Sequence, residues 1–339
     1  MSYIPSAVGP FRRPLRRIVS ITLVLGVCFE LSALLVFGQQ ITVRPAVPES
    51  SHIKLTNGFF VTWGHNSRKI EVFDRNGSSV ARIDVLGSFP GFNAVGIYDA
   101  SVQPDRAIVV AAVVQNRQQE KALQVKSTLL YYDWHGKLTQ AVSVNPSIER
   151  LEVDEDGNVW ALLNGDGDAG PAKSPVIAVF KGDRIVNSFL NWTYFPHHAD
   201  GIEEGPKAEG APGFGITQDG VWFWLPGYDV FSLDRDGGNL TRIPMNLPKP
   251  KGAQPGFVHY NGTLATAFDW VRIPGDRFVF WVTSRAVNVE GGLYILSKKG
   301  MVRYRIADDV PVGLDNSNLV LARYEPSRNE FQIFWKHLE

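Results

Sequence analysis

Along residues 50–339, short apolar runs alternate with tight polar turns, and the same order recurs from one end of this region to the other. Each copy has a run rich in β-branched and aromatic residues, a polar turn that usually holds glycine, and a second run. Clear copies are Ile70–Ile83, which turns at Gly77, and Leu129–Val142, which turns at Gly136. Glycine accepts a positive φ, so each copy predicts a β-hairpin. Further copies surround Gly182, Gly237 and Gly300.

A further strand is predicted before each hairpin, and short polar turns precede most of these strands. The predicted strands are Phe59–Trp63, Ala107–Val114, Asn158–Leu163, Val221–Leu225, Arg277–Thr283 and Asn318–Arg323. One more strand before each turn completes a four-stranded antiparallel unit, which is the sheet of one propeller blade. Six such units fit between residue 50 and the C-terminus. The pattern therefore predicts an all-β, six-bladed β-propeller, preceded by an N-terminal hydrophobic signal or anchor helix.

The last unit has three predicted strands and ends in Glu330–Lys336, whereas Ile41–Val47 is left over at the other end. We expect this segment to supply the missing outer strand, because pairing the two ends would remove the open edge of the array. An extended linker is the alternative.

Two stretches resemble a known repeat. Phe59–Ser78 and Val153–Trp160 are similar to the repeats of six-bladed propellers of the NHL and TolB-like type. The resemblance covers most of residues 50–339, but later blades are degenerate. It implies the fold and carries no catalytic residues.

The N-terminus has a different composition. Arg12, Arg13, Arg16 and Arg17 precede an apolar run over Ile18–Phe37, as in an export signal with a charged start. The run is long enough to span a bilayer, so an uncleaved anchor is the alternative. Glu30 inside the run argues against the anchor, because a central acid is costly in a membrane.

We therefore predict residues 1–38 as a signal peptide or membrane anchor and residues 39–339 as the propeller. The arginines keep the start of the chain cytoplasmic, so the domain is delivered outside: periplasmic, extracellular or anchored to the outer side of the cytoplasmic membrane. Contact with a membrane is expected only through residues 18–37, and only if they are uncleaved. The single cysteine, Cys28, lies within this run.

Propeller topology turns the lengths of the connections into a prediction about function. The tight turns fall between the first and second strands (A–B) and the third and fourth (C–D) of each blade, so they share one face. The B–C loops and the links between blades share the other face, and long connections there are typical of a binding surface. The long segments are Gly87–Val95, Gln115–Ser127, Asn164–Ser174, Asn191–Ala211, Asn246–Gly262 and Ser284–Gly291.

The longest of these segments carries the richest candidate chemistry. Imidazole and carboxylate groups are ligands that divalent cations accept, although their spacing here matches no specific metal motif and a solvated polar loop is the plainer interpretation. The candidates in this segment are His197, His198, Asp200, Glu203 and Glu204. Ligands from other blades would have to converge on the central channel, and His65, His259 and Asp269 are placed where they could do so. A divalent cation is thus a conceivable cofactor.

Tryptophan is frequent, with nine residues, and large rings in blade strands ordinarily pack between sheets. Trp192 lies in a link between blades, so we expect it to be the best exposed ring for stacking on a ligand.

These features leave three hypotheses. The first is a monomeric, non-catalytic protein that binds a protein, peptide or glycan on the long-loop face. The second is a metal-assisted hydrolase or lyase in the central channel, with His65, His197, His198 and His259 as ligands. The third is a structural role in a membrane-associated assembly. Balanced charge, with 34 basic and 34 acidic residues, argues against nucleic acid as a partner.

Overall fold

The computed structural model describes residues 40–46, 52–64, 67–105, 107–116, 124–164, 173–195, 212–225, 229–244, 265–284, 292–305 and 309–338. These residues form six four-stranded sheets. The segment predicted as a signal or anchor lies outside the described residues. Within the described ranges, no helix is both long and apolar enough to cross a membrane.

Each sheet is one blade, and its strands follow chain order from A to D in five of the six blades. The A strands are β2 His52–Thr56, β6 Ala94–Val102, β10 Ile148–Val153, β14 Gly213–Ile216, β18 Ala265–Ile273 and β22 Asp309–Asp315. The B strands are β3 Phe59–Trp63, β7 Ile108–Asn116, β11 Val159–Leu163, β15 Gly220–Trp224, β19 Arg277–Ser284 and β23 Asn318–Glu325. The C strands are β4 Lys69–Phe73, β8 Gln124–Tyr132, β12 Pro175–Lys181, β16 Val230–Asp234, β20 Gly292–Ser297 and β24 Glu330–His337. The D strands are β5 Ser79–Asp84, β9 Leu138–Ser143, β13 Arg184–Asn191, β17 Thr241–Ile243, β21 Gly300–Arg305 and, from the start of the chain, β1 Gln40–Val43.

The predicted hairpins are confirmed, and several tight turns of the propeller share one construction. In three of these turns an aspartate side chain accepts hydrogen bonds from two backbone N–H groups, and the glycine three residues later donates its N–H to the aspartate carbonyl. The glycine takes a positive φ, which an L side chain tolerates poorly. The three pairs are Asp74 with Gly77 and Asp133 with Gly136 in C–D hairpins, and Asp154 with Gly157 in an A–B turn. At the turn of Asp234 and Gly237 the same carbonyl bond forms, but the Asp236 side chain accepts the backbone N–H of Gly238.

The apolar core lies between blades, where the described residues form six clusters, one at each boundary between neighbouring blades. Successive side chains of a strand point to opposite faces, so one strand supplies two boundaries. In β7, Val110 packs toward the first blade and Val109 toward the third. In β15, Phe223 packs toward the third blade and Trp224 toward the fifth.

The ring closes as the sequence predicts, because β1 lies beside β24 in the sixth blade. Thr42 donates a hydrogen bond to the side chain of Gln332 at 3.1 Å, and Arg44 pairs with Glu330 at 2.8 Å. Val43 is buried in the cluster between the sixth and first blades. The A strands also contact one another in ring order, including β22 against β2, so they surround a central channel. Two short 3-10 helices, Leu86–Ser88 and Trp192–Tyr194, follow D strands in the links between blades.

Candidate ligand site in the central channel

A cavity of about 290 Å³ lies in the central channel, and A strands from all six blades contribute to its wall. Lining residues, one from each blade, are Lys54, Asp99, Glu152, Phe214, Arg272 and Val312. The cavity is near the lower end of the size range of small-molecule sites.

Irregular pairing determines which A-strand residues lie at the cavity. The register shifts in four of the six A strands, whereas β2 and β14 pair regularly. The shifts fall between Ile97 and Asp99, Ile148 and Arg150, Phe268 and Val271, and Pro311 and Gly313. A bulge of this kind re-aims the side chains next to it. Asp99 and Arg150, which each follow a shift, both line the cavity.

A charged network in the cavity wall links the first three blades. The Nζ of Lys54 lies 3.3 Å from both carboxylate oxygens of Asp99 and 3.1 Å from Oε1 of Glu152. It also donates to the backbone carbonyl of Leu151 at 2.7 Å. The Asp99 carboxylate in turn accepts from the backbone N–H of Leu151 at 2.9 Å and of Ala100 at 2.8 Å. Asp99 is buried and has several donors, so its charge is well compensated.

This network shifts two pKa values. Burial acts to lower the pKa of Lys54, but the carboxylates of Asp99 and Glu152 outweigh it, so the pKa is raised. Burial also raises the pKa of Glu152, and the neighbouring Asp99 adds to the effect, whereas Lys54 opposes it. Perturbed groups that share a cavity are typical of a ligand or catalytic site, although structural ion-pair networks produce the same shifts.

Arg150 holds three blades together through backbone carbonyls. Its Nε donates to Pro212 at 3.0 Å, and its Nη1 donates to Tyr98 at 3.2 Å and to Glu149 at 3.0 Å. Across the channel, Arg272 donates to the hydroxyl of Thr217 at 3.2 Å and to the Asp276 carboxylate at 2.6 Å. Both guanidinium groups are thereby fixed in orientation.

Indole rings form the apolar part of the wall. Two glycines of β14 make room for them: a Cβ on Gly213 would lie 2.7 Å from the Trp270 ring, and one on Gly215 would lie 2.6 Å from the Trp222 ring. Trp63, stacked on His52 with 5.4 Å between ring centroids, also lines the cavity. The cavity thus combines flat rings with fixed polar groups.

The sequence did not single out these channel residues. Arg150 and Glu152 sit two positions apart in one strand, and Asp99 interrupts an apolar strand, so a charged side chain within a predicted A strand was the available signal.

The sheet order also fixes which connections share a face. The A–B and C–D turns lie together, and the structure keeps them short, as at residues 57–58 and 298–299. The B–C loops and the links between blades start and end on the opposite face, where residues 192–195 begin the link from β13 to β14. We call this opposite side the long-loop face. Tyr194, which is 60% exposed, lies in one of its links.

Most of the predicted binding and metal residues cannot be placed. His65, His197, His198, Asp200, Glu203, Glu204 and His259 lie outside the described residues. Asp269 belongs to β18, an A strand, but its side chain is not among those described, so its place near the channel stays a prediction. In the part of the chain that is described, no three His, Cys, Asp or Glu side chains are grouped as metal ligands would be.

The expectation that Trp192 is exposed is wrong. Its side chain is fully buried and belongs to the cluster between the third and fourth blades. The chain turns there: Asn191 accepts a hydrogen bond from the Thr193 backbone N–H, and the short helix directs Trp192 inward against Phe195. Tyr194, one residue beyond Thr193, takes the exposed position instead.

Comparison with known proteins supports the fold. No family model and no curated protein matches the chain. Among solved structures, a Bacteroides fragilis protein whose name calls it exported matches with a TM-score of 0.52 and 11% identity, over 89% of this chain and 96% of that chain. The Malassezia sympodialis allergen Mala s 1 matches with a TM-score of 0.47 and 12% identity, over 87% of this chain and 95% of that chain. BamB from Moraxella catarrhalis matches with a TM-score of 0.42 and 12% identity, over 88% of this chain and 97% of that chain.

The chain is a six-bladed β-propeller of four-stranded antiparallel blades, closed by its own N-terminal strand. The fold implied by the resemblance to propeller repeats is confirmed. Function has to be argued from the surfaces and the channel, since propellers carry unrelated activities.

Proposed function

We propose that the protein is an exported, non-catalytic binding protein that engages a protein, peptide or glycan through its long-loop face. The observation that supports this proposal is the division of connections between the two faces. Among the described residues, one face has tight turns, several of them held by aspartate side chains, and the strand ends on the other face are those between which the connections of more than ten residues run. Long loops on a rigid scaffold are a common way to build a binding surface.

Export is part of the same proposal. It is supported by the four arginines and the apolar run over Ile18–Phe37. The name of the Bacteroides fragilis neighbour agrees with export, although that likeness concerns the fold. Mass spectrometry of the protein recovered outside the cytoplasm should give the mass of the chain without residues 1–38. A full-length mass in the membrane fraction would instead identify an anchor, and protein confined to the cytoplasm would refute export.

The binding face can be tested by site-specific photo-crosslinking in the cells that produce the protein. A photoreactive residue replaces Tyr194 on the long-loop face, and the matched control replaces Lys299, an exposed residue in a tight turn of the opposite face. We expect a discrete adduct from position 194 that excess unmodified protein suppresses, and none from position 299. Equal adducts from both positions, adducts from position 299 alone, or none from either would contradict the proposal.

A further inference from the structure

The central cavity has the composition of a site for a small, neutral, polyhydroxylated molecule. From this geometry we infer that the channel binds a single monosaccharide-sized ligand between Glu152, Arg150 and the surrounding indole rings. The inference concerns the channel and does not depend on what the long-loop face binds.

Charge balance favours a neutral ligand. The charged residues that line the cavity are three basic and two acidic, and each already has a partner: Lys54 pairs with both acids, Arg150 with backbone carbonyls and Arg272 with Asp276. Lys54 already lies within 3.3 Å of Asp99 and 3.1 Å of Glu152. A ligand ammonium group would have to compete with Lys54 for Glu152, and a ligand carboxylate would face the two carboxylates of Asp99 and Glu152. A neutral ligand disturbs none of these pairs.

The remaining hydrogen-bonding capacity suits hydroxyl groups. Among the described residues, Oε2 of Glu152 and Nη2 of Arg150 have no hydrogen-bond partner, while their other polar atoms are held by Lys54 and by backbone carbonyls. The two residues are two positions apart on β10, so they lie on the same side of the strand. A hydroxyl both donates and accepts, so one ligand could donate to Glu152 and accept from Arg150.

Shape and size agree with a sugar ring. Trp63, Trp222 and Trp270 contribute apolar surface to the cavity wall, which suits the C–H groups of a sugar ring. The cavity volume of about 290 Å³ is close to the lower end of the range of small-molecule sites, which suits a ligand of the size of one hexose ring.

Calorimetric titration of the full chain tests the inference. The neutral probes are glucose, galactose, N-acetylglucosamine and myo-inositol, each up to about 10 mM. The charged probes are glucuronate and glucosamine, analogues of glucose, and galacturonate and galactosamine, analogues of galactose. We expect saturable binding of at least one neutral probe and at least tenfold weaker binding of its charged analogue. No binding by any neutral probe, or tighter binding of a charged one, would overturn the inference.

Two variants locate the site. Glu152→Gln keeps the shape but loses a charged acceptor, so binding should weaken about tenfold. The matched control, Glu155→Gln, makes the same change at an exposed turn residue three positions away and should leave affinity unchanged. Val271→Phe adds a ring to the cavity lining and should abolish binding, while thermal melting confirms that it folds. Unchanged affinity in both cavity variants would refute the site. Neither variant should alter cross-linking from position 194, so failure here is separable from failure of the proposed function.

Discussion

Nζ of Lys54 in the first blade lies 3.3 Å from both carboxylate oxygens of Asp99 in the second. The two residues are 45 positions apart in the chain, and both side chains are largely buried, with 16% and 4% of their surfaces exposed. Because a second carboxylate, Glu152, approaches the same ammonium group, one cation neutralises two acids from two further blades.

Removing the ammonium group of Lys54 should therefore lower the free energy of unfolding. Lys54→Met leaves two carboxylates without their partner, and loss of one member of a buried pair typically costs about 3–5 kcal/mol. We expect the free energy of unfolding, measured in urea, to fall by about 3 kcal/mol. This is the lower end of that range, because Glu152 retains some solvent contact. Lys69→Met, at an exposed lysine of β4, is the control and should change stability by less than about 0.5 kcal/mol. Adding Asp99→Asn to Lys54→Met should recover part of the loss, and full additivity would show that the pair is not coupled.

The raised pKa of Glu152 predicts a pH dependence with a definite sign. A carboxyl whose pKa is higher in the folded state binds its proton more tightly there, so its contribution to stability falls as pH rises from its ordinary pKa of 4.5 through the folded value. Glu152→Gln cannot titrate. The variant should therefore match the wild type near pH 4 and become relatively more stable toward pH 7, as measured by urea unfolding across that range. A constant difference, or one of opposite sign, would show that the pKa of Glu152 is not raised.

The fold was predictable because its signal is local and repeated. Each Asp-x-x-Gly turn, such as Asp74–Gly77, specifies a hairpin through its own hydrogen bonds and a positive φ, without help from distant residues. The number of predicted strands then indicated six blades. The segment beginning at Ile41 had no partner in the first blade, which indicated that it completes the sixth blade and closes the ring.

The channel was not predictable for a physical reason. Strand alternation tells which side chains share a face only while the register holds, and the register shifts immediately before Asp99 and Arg150. The burial of Trp192 was not predicted for a similar reason. The residue lies in a short 3-10 helix, where the two-residue alternation of a strand does not apply, and the helix directs the ring inward. Irregular backbone thus hides both features from a sequence pattern.

Two glycines with the same conformation should differ in their tolerance of alanine. Gly77 and Gly157 have φ values of 82° and 78° in equivalent turns, so both substitutions incur the strain of a left-handed residue, about 1–2 kcal/mol. A Cβ at Gly157 would meet nothing closer than 3.7 Å, whereas one at Gly77 would lie 2.4 Å from the carbonyl oxygen of Thr42 in the closing strand. Gly77→Ala should therefore cost about 1–3 kcal/mol more than Gly157→Ala in chemical unfolding. Equal losses would mean that β1 does not press on this turn.

The buried position of Trp192 gives a contrast between two aromatic residues in one helical turn. Trp192→Ala removes a fully buried ring that packs against Phe195, so we expect a loss of about 3–5 kcal/mol in unfolding free energy. Tyr194→Ala removes a ring that is 60% exposed and should cost about 0.5 kcal/mol or less. If the Tyr194 side chain contributes to binding, an excess of its alanine variant should suppress the adduct from position 194 less well than unmodified protein does, while the variant retains its melting temperature. A Trp192→Ala variant as stable as the wild type would show that this link does not pack into the core and would restore Trp192 as a surface candidate.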